Sequence, residues 1–178
     1  LPGVGLYAIY CQTKFNFAVS EVGIFTILNV IAAGAASFAA GKLGDKFGHK
    51  TSMMLAYLGH FIAVLLAIFA QNMFWVYGIF MAIGVGQGAF MPSAMNLVYD
   101  FSAERDTKTY MALVDSFLAP FVLIFIMGIG ALVRVGNYTI SLYILGTSII
   151  LGMLILQFIV RDPKHSAEPV FHVDGFSS

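Results

Sequence analysis

Charge is what this sequence has least of. Only 10% of its 178 residues are Asp, Glu, Lys or Arg, nine of each sign, and the formal net charge is zero. A water-soluble domain carries charge on about a quarter of its residues, because its surface must be solvated. This chain cannot cover a water-facing surface. The even balance of sign leaves no basic footprint for nucleic acid. The one cysteine, Cys11, excludes an intramolecular disulfide framework, and no Cys/His cluster has zinc-ligand spacing. Neither a metal nor a cofactor is expected. A basic leader is missing too: Leu1 to Tyr10 opens directly in apolar residues, which excludes a secretory signal peptide and looks like a cut through a membrane helix.

What is present is apolar. Hydrophobic residues make up 60% of the chain and the mean hydropathy is +0.89. Five long apolar stretches follow one another, at residues 22–40, 51–70, 73–99, 110–133 and 138–160. Each is about 19 to 27 residues long, enough to cross a ~30 Å hydrocarbon core at 1.5 Å rise per residue. Five such segments without amphipathic partners do not make a soluble fold. The expected class is an all-α polytopic membrane protein with five complete spans, residues 1–11 being the end of a sixth.

Basic residues in the short loops orient the spans. With residues 41–50 on the cytoplasmic side, Lys42, Lys46, Lys50, Arg105, Lys108, Arg161 and Lys164 fall inside, and only Lys14 and Arg134 fall outside. That follows the positive-inside rule, and the reverse orientation breaks it. Trp75, Tyr77, Tyr138 and Tyr143 then lie near the outer interface, where amphipathic rings are favoured. The expected setting is a multi-pass protein of the cell's inner (plasma) membrane, with a cytoplasmic C-terminus. Gln71-Asn72 and Gly136-Asn137 read as tight turns between antiparallel neighbours. Ser20-Glu21 reads as a helix start, with a side-chain cap followed by a carboxylate in the first turn. Pro163 closes the last span, and residues 161–178 read as a short polar tail whose His165 and His172 are solvated rather than metal-binding.

The densest signal is Gly41-Lys-Leu-Gly-Asp-Lys-Phe-Gly-His-Lys50. It reads as a tight turn at the membrane surface. Gly41, Gly44 and Gly48 permit conformations and approaches that a Cβ hinders. Asp45 can meet the positive end of a neighbouring helix, and Lys46 and Lys50 stay on the anionic headgroup side. Composition alone would make this a basic loop that fixes topology. The pattern nevertheless resembles motif A of the major facilitator superfamily, G-x-L-a-D-r-x-G-r-k: Gly41, Leu43, Asp45, Gly48 and Lys50 match, Gly44 replaces Ala, Lys46 replaces Arg, and His49 takes a usually basic place.

The resemblance implies a half of a major-facilitator helical bundle. Three departures favour the C-terminal half over the N-terminal one. Gly84 stands where an R-x-x-Q-G pattern would put Arg, Ala119-Pro120 lacks a G-P-x-x-G-G run, and the chain stops after a short tail. The spans would then resemble helices 8 to 12, preceded by the end of helix 7. Two such halves hold substrate between them near the midplane and rock against each other. Asp45 would serve as a gating latch to the opposite half. The implied partners are membrane lipid, the missing six-helix half, an unknown small-molecule substrate and, through exposed small-residue faces, a second copy of the chain.

Small residues mark packing faces. Ala33, Ser37 and Gly41 repeat every fourth position, as do Ala32, Ala36 and Ala40, around Gly34. Gly84, Gly86 and Gly88 make a narrow zone in the third complete span. Such residues let helix backbones approach in lipid. The G-x-G-x-G run follows no strand, so it is no dinucleotide site.

Among polar residues within the spans, Asp115 stands about 10 Å from the Lys108 end by helix rise. It either carries a coupling proton or cationic substrate group, or is a structural acid near the interface. Asn29, His60, Gln87 and Asn96 either touch substrate or hydrogen-bond across helices. Pro92 and Pro120 free backbone carbonyls and can kink their helices. The expected function is secondary transport by alternating access, coupled to protons. A non-transporting sensor or scaffold would bury these same polar residues between helices. A membrane-embedded enzyme would need a nucleophile–base pair or metal cluster, and the spans contain neither.

Overall fold

The computed structural model describes residues 3–102, 107–158 and 160. Six helices follow in order: α1 (Gly3–Phe15), α2 (Val19–Phe47), α3 (His49–Phe69), α4 (Met73–Ser102), α5 (Thr107–Arg134) and α6 (Tyr138–Phe158). Five of them are long and apolar enough to cross a membrane, over Ser20–Phe47, His49–Phe69, Met73–Tyr99, Met111–Arg134 and Tyr138–Phe158. The all-α membrane architecture expected from hydropathy is the one observed. Arg105, Pro163 and the tail with its two histidines lie outside the described residues.

Local chemistry sets the helix ends. Ser20 does not cap α2. The helix starts at Val19, so Ser20 is already inside it, and Ala18 is the cap residue with no side-chain hydrogen bond to offer. Glu21 reaches back instead, its carboxylate accepting the Ala18 N–H at 3.2 Å. The carboxylate expected in the first turn is therefore there, and the cap is not. The Asn72 side chain accepts the Phe74 N–H at 3.1 Å and starts α4. Between α5 and α6, Gly136 takes φ +79°, with Asn137 N–H on Leu132 O and Gly136 N–H on Val133 O, both at 3.0 Å. These are the two bonds of a Schellman ending, which asks for a left-handed residue at that glycine.

Helix α4 is the centre of the bundle, wedged between α2 and α3, and α6 packs on the far side of α3. Two cores lie along it. Around Tyr7, Phe25, Val64, Ile79, Ile83 and Leu142 the filling is large side chains, with Phe25 stacked on Phe80 at 5.0 Å and edge-on to Phe17 at 5.0 Å. Nearer the motif the filling is four alanines: Ala36, Ala40, Ala56 and Ala89. Attraction between helices in lipid comes from packing rather than the hydrophobic effect, so alanine seams bring the backbones together there. Helix α5 differs from the rest. It is exposed over nearly all its length, with Phe117, Phe121, Ile124 and Met127 turned outward.

Candidate functional site

The motif segment is mostly helix. Helix α2 runs through Gly41 to Phe47, and the chain turns on one residue, Gly48, at φ +91°. An L side chain is strained at that angle. Gly48 N–H closes the end of α2 on Gly44 O at 2.9 Å. A Cβ on Gly44 would run into the His49 ring, so the bend needs glycine at both places. Gly41 is unlike them, with open space where its Cβ would stand. Asp45 and Lys46 lie exposed on the last turn of α2. Lys50, in the first turn of α3, reaches the end of α6.

The three glycines of α4 serve two different neighbours. Residues 84 and 88 are one turn apart, so they share a face, whereas 86 points almost oppositely. A Cβ on Gly84 would meet the backbone of Asn29, and one on Gly88 would meet that of Ala33, both on α2. A Cβ on Gly86 would lie 2.8 Å from the His60 ring on α3, and Gly59 of α3 faces Gly86 backbone in turn. Two polar bonds fasten the α2 side. Asn29 donates its amide to Phe80 O at 3.0 Å, and Ser37 donates its hydroxyl to Gly88 O at 2.7 Å. The second bond has a reason in the sequence. Helical Gly88 O would be served by the N–H four residues on, but that residue is Pro92, which has none. Ser37 supplies the missing donor from the neighbouring helix. Both α4 and α5 run on as helix past Pro92 and Pro120.

The five polar residues expected along a pathway are spread over four helices. Asn29 is taken up in the α2–α4 seam, and His60 is packed against Gly86, its Nε2 buried without a hydrogen-bond partner among the described residues. Gln87 is half-buried on α4. Asn96 and Asp115 are exposed, on α4 and α5. Gly34 is exposed with nothing within 4 Å of its Cβ position, while Ala32, Ala36 and Ala40 on the same helix are buried.

Among the described residues, clefts open between the helices at three places that these five residues do not line. One of about 430 Å³ lies between α1, α2 and α4, walled by Phe17, Phe25 and Phe80 with Gln12, Thr13 and Thr26 among its lining. One of about 590 Å³, almost wholly apolar, lies between α3, α5 and α6. A third of about 130 Å³ separates α1 from α5. No group of three or more His, Cys, Asp or Glu residues with metal-binding geometry occurs among the described residues.

A bundle of membrane-length helices, turned at Gly48 by a motif-A segment and seamed by small residues, matches one family along almost its whole length. The family model for the Major Facilitator Superfamily covers residues 3–175. The chain belongs to the major facilitator superfamily. The niacin transporter NiaP of Acinetobacter baylyi is 26% identical over 98 residues, which are 55% of this chain and 22% of that protein. The matched stretch thus spans about a fifth of the relative's length. No solved structure matches the chain. As a member of this superfamily with five membrane-length helices, the chain is a multi-pass integral membrane protein. Reading the sequence alone missed Gly59 and the stripe it belongs to. Ser52, Ala56, Gly59, Ala63 and Ala67 are all buried on one face of α3. Their three- and four-residue spacing was the available signal.

Proposed function

We propose that the chain is the C-terminal six-helix half of a proton-coupled secondary transporter that moves a small organic solute by alternating access, with the motif turn and C-terminus on the cytoplasmic side. The observation that carries this reading is the uneven covering of the helices. Helices α2, α3 and α4 are bonded and closely packed, whereas α5 carries a carboxylate, Asp115, exposed on a membrane-length helix among exposed Leu113, Val114, Phe117 and Leu118. A carboxylate facing hydrocarbon is costly, so it belongs against a watered cavity or a protein partner. The other half supplies both in a transporter of this design. Asp115 is then the coupling group, and Gln87 and Asn96 join it on the pathway. Asp45 and Lys46 are exposed at the motif end, from which Asp45 would latch against the opposite half. Asn29 and His60, occupied in helix seams, serve packing. The likeness to a niacin transporter makes a small aromatic carboxylic acid the first cargo to assay.

The test is thiol labelling of the whole transporter. Cys11 is fully buried and is replaced to give a silent background. Single cysteines at Asp115, Gln87 and Asn96 are expected to react with a membrane-impermeant reagent, at rates that change when the membrane is energised. Ser37→Cys, within the α2–α4 seam, is expected to stay inert. Inert cysteines at all three pathway positions, with reactive ones in the loops, would refute the assignment and favour a non-transporting scaffold.

A further inference from the structure

Lys50 occupies the turn of α3 where its own helix least favours a cation. The N-terminal turn carries the positive end of the helix dipole, and α3 has no acidic residue there to offset it. The ammonium group is spent elsewhere. Lys50 Nζ donates to Gln157 O at 2.9 Å and to Val160 O at 2.8 Å, 107 and 110 residues downstream, at the C-terminal end of α6. That end needs a donor. The last carbonyls of a helix have no intrahelical partner, and the last turn of α6 has no basic residue to serve them. Val160 N–H folds back on Ile155 O at 3.3 Å, gathering the carbonyls of this end toward one point.

We infer that Lys50 is a positioning residue: it caps α6 from another helix and fastens that helix end to the α2–α3 turn, so that α3 and α6 move as one body behind the motif. The contact does not stand alone. Gly152 of α6 lies against the Tyr57 ring and Gly146 against Val64, so α3 and α6 touch from mid-span to the clamp. The other two lysines of the turn do not duplicate it. Lys42 lies over the Phe38 ring at 4.4 Å and Lys46 over the Phe47 ring at 4.9 Å, each on its own helix. The latch expected of the motif faces the opposite half; the Lys50 contact lies within this one. Its consequence for transport rests on the transporter reading, but the clamp itself can be tested without transport.

The experiment is hydrogen–deuterium exchange on the whole transporter in detergent, comparing Lys50→Met and Lys50→Arg with the parent. In Lys50→Met, peptides covering residues 153–160 are expected to exchange about tenfold faster, since a bond from a charged donor is lost at a fraying end. Peptides from the α2–α4 seam should be unchanged. Lys50→Arg, which keeps the charge and the donors, should restore protection. Unchanged exchange at 153–160 in Lys50→Met overturns the inference. Should Lys50→Met fail to fold, amine-reactive labelling of the parent decides: Lys50 is expected to react several-fold more slowly than Lys42 and Lys46, and equal rates overturn the clamp. Loss of transport with exchange unchanged would refute the clamp and leave the transporter reading intact.

Discussion

The bond from Ser37 to Gly88 O gives the sharpest test of how this bundle is held. Pro92 removes the donor that would serve Gly88 O within α4, and the Ser37 hydroxyl, 2.7 Å away, takes its place. Ser37→Ala keeps the seam's volume but leaves a buried carbonyl without a donor. An unmet buried acceptor costs about 1–3 kcal/mol, while interhelical bonds measured in membranes average ~0.6 kcal/mol. The expected loss is therefore about 1–2 kcal/mol. In a Pro92→Ala background the N–H of residue 92 returns and can reach Gly88 O along the helix. The same Ser37→Ala change should then cost about 0.5 kcal/mol or less. The assay is reversible unfolding in mixed micelles, run as a double-mutant cycle on the four proteins. A coupling of about 1 kcal/mol is expected. If Ser37→Ala costs the same in both backgrounds, the proline has not created the need that Ser37 meets, and the explanation fails.

Further outcomes follow from the same geometry. Gly88→Ala should destabilise the bundle by about 1–3 kcal/mol, because its Cβ would meet the Ala33 backbone rather than a movable side chain. Gly34→Ala, on an open face of the neighbouring helix, should leave the unfolding midpoint within error or raise it; equal losses for the two would contradict the seam. Gly48→Ala should cost about 1–3 kcal/mol from its backbone angles, read in the same unfolding assay, and a neutral result would mean the α2–α3 turn is not held at φ +91°. Asp115→Asn should abolish accumulation driven by a proton gradient while sparing exchange of solute down its own gradient. Retained gradient-driven uptake would remove Asp115 from the coupling path.

Hydropathy showed the class of the protein before any contact was known. In lipid the backbone finds no water and must be satisfied by the protein itself, which in an unbroken apolar run of this length favours a helix. The turns at Asn72 and Gly136 were legible for a similar reason, since their chemistry acts over a few residues. The cap at Ser20 was misread because a carboxylate suits any place in the first turn, and the helix starts at Val19, two residues before a Ser20 cap would start it. The motif at 41–50 was legible as a pattern of residues but not as a shape. Helix α2 runs on through Gly44, and the His49 ring folds back where a Cβ there would stand, which no local preference states.

For the residues given a choice between pathway and packing, tertiary structure alone set where each stands in the bundle. Asn29 and Asp115 are both polar residues in apolar helices, and nothing in their immediate sequence tells them apart. The assembled bundle sets Asn29 against Phe80 O and leaves Asp115 exposed. The G-x-G-x-G run likewise announced close approach without saying to what, and only the wedge of α4 between two helices gave Gly84 and Gly88 to α2 and Gly86 to α3. Lys50 shows the division most plainly. Its charge and its place in the turn belong to the sequence, because charge at a membrane surface is set by composition and topology. Its partners stand more than a hundred residues downstream, and only the packing of α6 along α3 brings those carbonyls within reach.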